Sequence, residues 1–280
     1  MNAISLHSVV PIRTEPRESA EQSTQMLFGE ICTVLEQKPR WNRIKLESDG
    51  QEGWVDAKMI APMSDKEYTS YKMALDKAAT VTYPMVYAVS ENNGQTIPLT
   101  AGTKLTNYEI RTMNYEGREV KTGHFEVLGV GFRIESSMVI TQSLELNMQN
   151  LLQTARFFLN VPYLWGGKNA LGMDCSGFTQ VVMGLFGKRL LRNASEQVTQ
   201  GMRINQLSDA QAGDLAFFDH EGLNDGTTNP KKISHVGIVI DPQRIIHCSG
   251  RVKVEKLDET GIFNPELGGY SHHLAQIRRV

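Results

Sequence analysis

The sequence predicts an α+β fold, in which small β-barrels precede a C-terminal domain with a helix and an antiparallel sheet. Residues 1–139 hold short β-rich segments separated by turn signals, a pattern typical of small barrels. Apolar residues at helical spacing follow Cys175. Strand-like segments around His235 and His247 come after that helix. A helix followed by neighbouring strands is typical of an α+β domain.

The bulk composition indicates an ordinary globular protein of several domains. The chain has 280 residues, and at about 100 to 200 residues per domain this length predicts two or three domains. The formal net charge of −2 produces no field that attracts nucleic acid. Apolar runs fall far short of the roughly 18 residues that span a bilayer. We therefore expect neither a nucleic-acid partner nor a membrane partner.

The cysteines favour a reducing compartment. Cys32, Cys175 and Cys248 are an odd number of cysteines, far apart in sequence. This spacing favours free thiols over a disulfide framework. Residues 1–25 contain no hydrophobic stretch that resembles a signal peptide. We expect a cytoplasmic protein, and a periplasmic or secreted location is the alternative if a leader was removed.

Two β-rich regions precede the C-terminal domain. Residues 1–63 predict a first β-barrel, and residues 64–79 hold good helix formers without Gly or Pro and predict a linking helix. Residues 80–139 predict a second β-domain, with turn signals at residues 92–94 and 116–117. The second region is interpreted as a divergent copy of the first, on pattern alone.

The third domain, residues 140–280, begins with an amphipathic pattern from Leu144 to Leu159 that predicts a helix ending before Pro162. Cys175 then stands at the start of a second predicted helix. Unpaired backbone N–H groups and the helix dipole stabilise a thiolate at such a position. We therefore expect Cys175 to have a lowered pKa and to act as a nucleophile near neutral pH.

His235 and His247 supply a candidate base and the group that orients it. Directly opposed residues of an antiparallel pair share a face, and side chains alternate along each strand. Pairing Ile240 with Arg244 leaves the loop 241–243 and places both histidines on one face, whereas a two-residue loop separates them. The sequence thus predicts an odd-length loop or a bulge, with Cys248 directed into the core.

Several segments carry a resemblance to a known family. They are residues 163–167 (Tyr-Leu-Trp-Gly-Gly), 174–178 (Asp-Cys-Ser-Gly-Phe), 212–218 (Ala-Gly-Asp-Leu-Ala-Phe-Phe), 234–238 (Ser-His-Val-Gly-Ile) and 246–247 (Ile-His). In order and spacing, over about 140 residues, they resemble the NlpC-type cell-wall cysteine peptidases. The β-rich N-terminal half resembles the bacterial SH3-like domains that often precede that catalytic domain.

The resemblance implies a papain-like fold with Cys175, His235 and His247 as the catalytic set. It also implies hydrolysis of the bond after γ-linked D-glutamate in peptidoglycan stem peptides. Members with SH3-like domains often act as γ-D-glutamyl-L-diamino acid endopeptidases of the dipeptidyl-peptidase VI type. Their substrates are L-Ala-γ-D-Glu-diamino acid peptides with a free N-terminal alanine, which arise during recycling of the wall. Diaminopimelate and lysine both stay open as the diamino acid.

The resemblance also implies a set of residues that line the substrate site: Tyr163, Asp174, Ser176 and Ser195. A free ammonium on the substrate needs a carboxylate, and Asp174, or Asp56 or Glu52 on the first barrel, supplies a candidate. No metal and no cofactor are expected. We expect a monomer that takes peptidoglycan-derived peptides as its partners.

Two other functions stay open on the residues alone. In a zinc-dependent amidase the same Cys and His types would bind a metal, although the chain has no Cys-x-x-Cys pair and no His-Glu-x-x-His motif. In a non-catalytic wall-binding protein the β-barrels would bind and the third domain would have decayed. The complete set of Cys175, His235 and His247 argues against decay.

The other histidines are interpreted as surface or loop residues: His7, His124, His220, His272 and His273. The polar segment 219–232 before His235 exceeds the usual connection length. A flap that gates the substrate and an ordinary surface insertion are both open for this segment.

Overall fold

The computed structural model describes residues 1–115, 118–219, 233–265 and 267–280. The chain divides into two compact units, Met1–Ser143 and Leu144–Val280. The segment 219–232, for which a gating flap and a surface insertion are both open, falls almost wholly outside the described residues, as does the turn at residues 116–117. Within the described ranges, no helix has the length and apolar character needed to cross a bilayer.

The first part of the first unit is an antiparallel sheet. Its strands are β1 (Asn2–Ile4), β2 (Val9–Arg13), β3 (Gln22–Leu27), β4 (Ile31–Gln37), β5 (Trp41–Leu46), β6 (Glu52–Asp56) and β7 (Ala61–Met63). They lie in the order β3-β2-β6-β5-β4-β1-β7, and a 3-10 turn at Ala57–Met59 joins β6 to β7. Alternate residues such as Val10, Ile12 and Ile44 are fully buried, which gives this sheet a core of its own.

Helix α1 (Asp65–Leu75) lies in the region predicted to link the two β-domains. Ser64 begins it with a capping box, because its side chain accepts the Glu67 N–H while the Glu67 carboxylate accepts the Ser64 N–H. The strands that follow are β8 (Ala79–Val81), β9 (Met85–Ser90), β10 (Thr96–Thr100), β11 (Lys104–Leu105), β12 (Glu109–Tyr115), β13 (Arg118–Val127), β14 (Val130–Glu135) and β15 (Val139–Ile140). A 3-10 turn, Ser136–Met138, precedes β15.

The two β-rich regions share a core within the first unit. The later strands form one sheet in the order β10-β9-β14-β13-β12 and another in the order β11-β8-β15. Phe28, from the turn after β3, packs edge-on against Phe125 and Phe132, with ring centroids 6.4 and 5.7 Å away. Such aromatic pairs add to the apolar area they bury. The first barrel and the second β-domain are therefore packed together.

The second unit combines short helices with one antiparallel sheet. The helices are α2 (Met148–Ala155), α3 (Cys175–Leu185) and α4 (Ala194–Gln197), with 3-10 turns at Arg156–Phe158 and Leu207–Asp209. The strands are β16 (Lys168–Asn169), β17 (Gly172–Met173), β18 (Met202–Ile204), β19 (Leu215–Asp219), β20 (Ile233–Asp241), β21 (Arg244–Ser249), β22 (Arg251–Leu257), β23 (Gly261–Asn264) and β24 (Gly269–Arg279). Strands β16 and β17 pair separately, and the others lie in the order β18-β24-β19-β20-β21-β22-β23.

Helix α2 is shorter than the amphipathic pattern predicts. The Asn147 side chain accepts the Asn150 N–H at 2.9 Å, so the helix begins at Met148. Leu144 is not helical, because its N–H donates to the Leu185 carbonyl oxygen at 2.9 Å. The end of the pattern continues as the 3-10 turn rather than as α-helix. The predicted helix is real, but its first turn is wrong.

The hairpin of β20 and β21 brings the two histidines onto one face. Gly237 pairs with His247 and Val239 with Ile245, and a bulge at Ile240 precedes the closing pair of Asp241 and Arg244. The predicted pairing of Ile240 with Arg244 is therefore wrong, but the predicted alternative, a bulge, is confirmed. A two-residue turn alone would place the two histidines on opposite faces, and the extra residue in the bulge returns them to the same face.

The other face of β21 is buried as predicted. Cys248 has no exposed surface, and its thiol donates to the Met173 carbonyl oxygen at 3.2 Å. Gly237 lies opposite His247, and a Cβ there would come within 2.8 Å of the His247 Cβ. The glycine therefore leaves the space that the His247 side chain needs.

Candidate active site

Helix α3 begins at Cys175 because its neighbours fix the backbone there. The Asp174 carboxylate caps the helix, since its Oδ1 accepts the Gly177 N–H at 2.7 Å. A Cβ at Gly177 would overlap the carbonyl oxygen of Gly167, so only glycine lets the first turn pack against that segment. The cap and the glycine together fix the position of the Cys175 side chain.

The Cys175 sulfur lies between the start of α3 and strand β20. Backbone N–H groups of Val236 and Ser176 donate to it. Val236 directly follows His235, so the sulfur contacts the strand at the point from which that imidazole projects. The Cys175 residue is 7% exposed, which leaves little of the site open to water.

The Cys175 thiol is harder to ionise than the helix position alone suggests. Burial, with a smaller contribution from the Asp174 carboxylate, raises its pKa to about 12. The N–H donors from Val236 and Ser176 act in the opposite direction, as does the Arg192 guanidinium. The expectation of a lowered thiol pKa is therefore wrong, because burial outweighs the helix N-terminus. For Cys175 to act as a nucleophile, a base must take its proton.

His235, the candidate base, lies in contact with His247. The His235 Nε2 lies 2.8 Å from the His247 Nδ1, and the two rings are nearly perpendicular at 85°. The His247 Nε2 lies 2.8 Å from the Glu255 Oε2. Burial lowers the pKa of His247, although the Glu255 carboxylate opposes that shift. His247 is therefore a neutral ring at pH 7.

His272 also contacts the base, although its sequence context predicts a surface residue. Its ring stacks on the His235 ring at a centroid distance of 4.1 Å and an angle of 29°. Its Nδ1 lies 2.9 Å from the Ser271 hydroxyl. Strand β24 pairs with β19, and this returns His272 to the site from far along the chain. No local pattern signals that return.

Asp174 and Ser176 are held by a buried arginine. Arg192 is 1% exposed and donates to the two Asp174 oxygens at 3.0 and 2.6 Å. It also donates to the Ser176 hydroxyl at 2.8 Å, and the Gly166 N–H donates to Asp174 at 2.9 Å. These contacts neutralise the Asp174 carboxylate. Substrate contacts for Asp174 and Ser176 stay predictions.

Tyr163 lies beside the nucleophile, and Ser195 lies on α4. Burial raises the pKa of the half-buried Tyr163 hydroxyl, and the charges of Cys175 and Asp174 add to the shift. Ser195 is half-buried. Their roles in binding substrate stay predictions. Among the residues described, no group of three or more His, Cys, Asp or Glu is placed to hold a metal ion.

Asp56, the candidate on the first unit, is a buried cap. Its carboxylate accepts the Lys58 N–H at 3.1 Å and begins the 3-10 turn there. It also forms ion pairs with Arg40 at 3.3 Å and with the Lys58 ammonium at 3.5 Å. The other candidate, Glu52, pairs with Arg43 at 2.8 Å. Binding of a substrate ammonium by either residue stays a prediction.

Comparison with known proteins identifies both parts of the chain. Residues 160–268 match the model of the NlpC/P60 family. The second unit is an NlpC/P60 domain. Residues 12–60 match the bacterial dipeptidyl-peptidase SH3 domain, so the first barrel is an SH3-like domain. The resemblance that the sequence motifs carry is confirmed for the first barrel and for the second unit, and an SH3-like origin of residues 80–139 stays a prediction.

The relatives span most of the chain. A γ-D-glutamyl-L-lysine dipeptidyl-peptidase of Bacillus subtilis is 28% identical over 257 residues, which is 87% of this chain and 78% of that protein. A protein of the same name from Bacillus cereus is 23% identical over 80% of this chain and 66% of its own length. The crystal structure of an NlpC/P60 family protein from Bacillus cereus superposes with a TM-score of 0.76 at 19% identity, over 100% of this chain and 99% of that one.

The predicted class of fold and of enzyme follows from these matches. The protein is a cysteine peptidase with a papain-like NlpC/P60 domain, preceded by SH3-like β-structure. Within that domain, Cys175 and His235 have the side chains that thiol-dependent hydrolysis needs. The helices are short and few among the described residues, and strand residues far outnumber helical ones there.

Proposed function

We propose that this protein hydrolyses the γ-D-glutamyl–diamino acid bond of peptidoglycan stem peptides. Its substrates are short fragments with a free N-terminal L-Ala, released as the wall is recycled. The relatives named γ-D-glutamyl-L-lysine dipeptidyl-peptidases support the substrate class, because one of them matches 87% of the chain. The hydrogen bond from the Val236 N–H to the Cys175 sulfur supports the proposed mechanism, because Val236 directly follows His235.

The reaction follows from the groups at the site. His235 takes the proton of the Cys175 thiol, and the sulfur attacks the carbonyl carbon of the γ-D-glutamyl group. Backbone N–H groups at the start of α3 stabilise the oxyanion that forms. His235 returns its proton to the departing amine of the diamino acid, which leaves a thioester on Cys175. Water, deprotonated by His235, then hydrolyses the thioester and restores the thiol.

A hydrogen bond between His235 and His247 keeps the base in place during both steps. The two rings are perpendicular, so the bond fixes the direction of the His235 ring as well as its position. The proposal includes a carboxylate that receives the substrate ammonium, for which Asp174, Asp56 and Glu52 are the candidates. It also includes a monomeric state and a cytoplasmic location.

The substrate is tested with defined peptides. L-Ala-γ-D-Glu-diaminopimelate and L-Ala-γ-D-Glu-L-Lys are incubated with the protein, each with a free and with an acetylated N-terminus, and the products are identified by mass spectrometry. We expect cleavage after D-Glu in the free peptides and little cleavage of the acetylated ones. Intact cross-linked wall should be cut far more slowly.

The matched control is Cys175→Ala, which removes the sulfur and should abolish hydrolysis. An Asp56→Asn variant tests the proposed ammonium contact, and it should reduce the preference for the free peptides. Equal cleavage of intact wall and free tripeptide contradicts the fragment proposal. Activity lost with a chelator but retained after iodoacetamide contradicts the thiol mechanism and favours a zinc enzyme.

A further inference from the structure

Glu255 stands at the end of the hydrogen-bonded series that begins at His235. Its Oε2 lies 2.8 Å from the His247 Nε2, and its Oε1 lies 3.1 Å from the Lys253 ammonium. Burial tends to raise the pKa of Glu255, but the hydrogen bonds from His247 and Lys253 outweigh it and the pKa is lowered. Glu255 is therefore ionised at pH 7. An ionised carboxylate accepts hydrogen bonds and donates none.

The register of the sheet builds this arrangement. His247 on β21 lies directly opposite Lys253 on β22. Glu255 is two residues further along β22, so its side chain projects from the same face. Only 9% of its side chain is exposed, and His247 has no exposed surface at all. Water therefore has little access to the bond between them.

A carboxylate at this position fixes the protons on both rings. Because Glu255 only accepts, the His247 Nε2 must carry the hydrogen. A neutral imidazole has one N–H, so the His247 Nδ1 then carries a lone pair. The His235 Nε2 must donate to that lone pair, and the neutral His235 ring therefore has its own lone pair on Nδ1. That is the form of His235 which accepts a proton from a thiol.

We propose that Glu255 is a positioning residue that sets the tautomers of His247 and His235, and thereby makes His235 a proton acceptor toward Cys175. With the opposite tautomers, His247 would donate from Nδ1 and His235 would present an N–H to the thiol. A base in that form cannot take the proton. Glu255 thus acts through two rings without touching the substrate.

Lys253 makes the proposal testable with an isosteric change. In Glu255→Gln, the side-chain oxygen is drawn to the Lys253 ammonium, which only donates hydrogen bonds. The amide NH2 then faces the His247 Nε2, which must accept, and the tautomers of both rings reverse. In the double variant Glu255→Gln, Lys253→Met the amide is released to turn its oxygen toward His247. The favourable tautomers then return.

The kinetic test compares these variants with the parent on the peptide that the parent cleaves fastest. We expect Glu255→Gln to lower kcat by at least about 10-fold with little change in KM, because the base is held in the wrong tautomer. Lys253→Met alone should retain most of kcat, and adding it to Glu255→Gln should restore kcat several-fold. Glu259→Ala, at an exposed glutamate, is the control and should match the parent.

A second measurement needs no substrate. In protein with 15N-labelled histidine, NMR distinguishes Nδ1–H from Nε2–H rings, and we expect Nε2–H on His247 in the parent and Nδ1–H in Glu255→Gln. Only the kinetic arm rests on the proposed function, so an error about the substrate would leave the spectra unchanged. An unchanged kcat in Glu255→Gln, an Nδ1–H tautomer on His247 in the parent, or no recovery in the double variant overturns the proposal.

Discussion

The buried pair of Arg192 and Asp174 makes the stability of the second unit sensitive to one substitution. Arg192→Met keeps most of the side-chain volume but leaves the Asp174 carboxylate without the guanidinium that holds both its oxygens, at 3.0 and 2.6 Å. Removing one partner of a buried ion pair costs about 3–5 kcal/mol. A typical domain is stable by about 5–15 kcal/mol, so the change removes a large share of that free energy.

Calorimetry of the full chain measures the loss. Each 1 kcal/mol shifts the midpoint by roughly 2–4 °C for 150–250 residues, so Arg192→Met should lower the Tm of the transition that contains the second unit by about 6–20 °C. Arg189→Met is the matched control, because Arg189 is exposed and lies three positions earlier. A substitution at such a surface position changes stability by about 0.5 kcal/mol or less.

A second variant separates the lost ion pair from general damage to the core. Asp174→Asn added to Arg192→Met removes the uncompensated charge, so the double variant should melt above Arg192→Met. The reasoning is refuted if Arg192→Met melts within 2 °C of Arg189→Met, or if the double variant melts lower than the single one.

Three further predictions concern the catalytic groups. Gly237→Ala should lower kcat at least about 10-fold, because the new Cβ comes within 2.8 Å of the His247 Cβ; parent-like kcat would contradict this. Absorbance at 240 nm should show no Cys175 thiolate between pH 6 and 8 when the parent is compared with Cys175→Ser, since burial raises the pKa of that thiol to about 12, as it does for Cys32 and Cys248. Burial lowers the pKa of His247 below 6.5, so as the pH falls through 6.5 the unfolded chain binds a proton at this ring and the folded chain does not. Urea unfolding should therefore give a lower free energy of unfolding at pH 5.5 than at pH 7.5. Equal free energies at the two pH values would contradict this prediction.

Parity explains why the sequence could predict the shared face of His235 and His247 but not the shape of their hairpin. Side chains alternate along a strand, so two residues on one face restrict the connection to an odd number of extra positions. A three-residue loop and a bulge both satisfy that condition. The bulge at Ile240 depends on how the turn fits the twist of the sheet, which the local pattern does not contain.

The unforeseen members of the site depend on distant pairings. Glu255 reaches His247 through the register of β21 with β22, and His272 reaches His235 because β24 pairs with β19. Neither register can be counted from the spacing of motifs. The prediction of a lowered Cys175 pKa was wrong for a related reason. The start of a helix can be recognised in the sequence, whereas the burial that raises this pKa depends on the folded domain.

Residues 174–177, at the start of helix α3, include positions that stabilise the structure and one that is proposed to react. Asp174 caps the backbone, Ser176 bonds Arg192 and Gly177 makes room for a carbonyl oxygen, so these three positions serve the scaffold. Cys175 is the proposed nucleophile among the four. A descendant that exchanged this sulfur for a methyl group would keep the rest of the signature for structural reasons, and would still be recognised by it. The residues around Cys175 therefore indicate the fold, and the thiol itself is needed to predict hydrolysis.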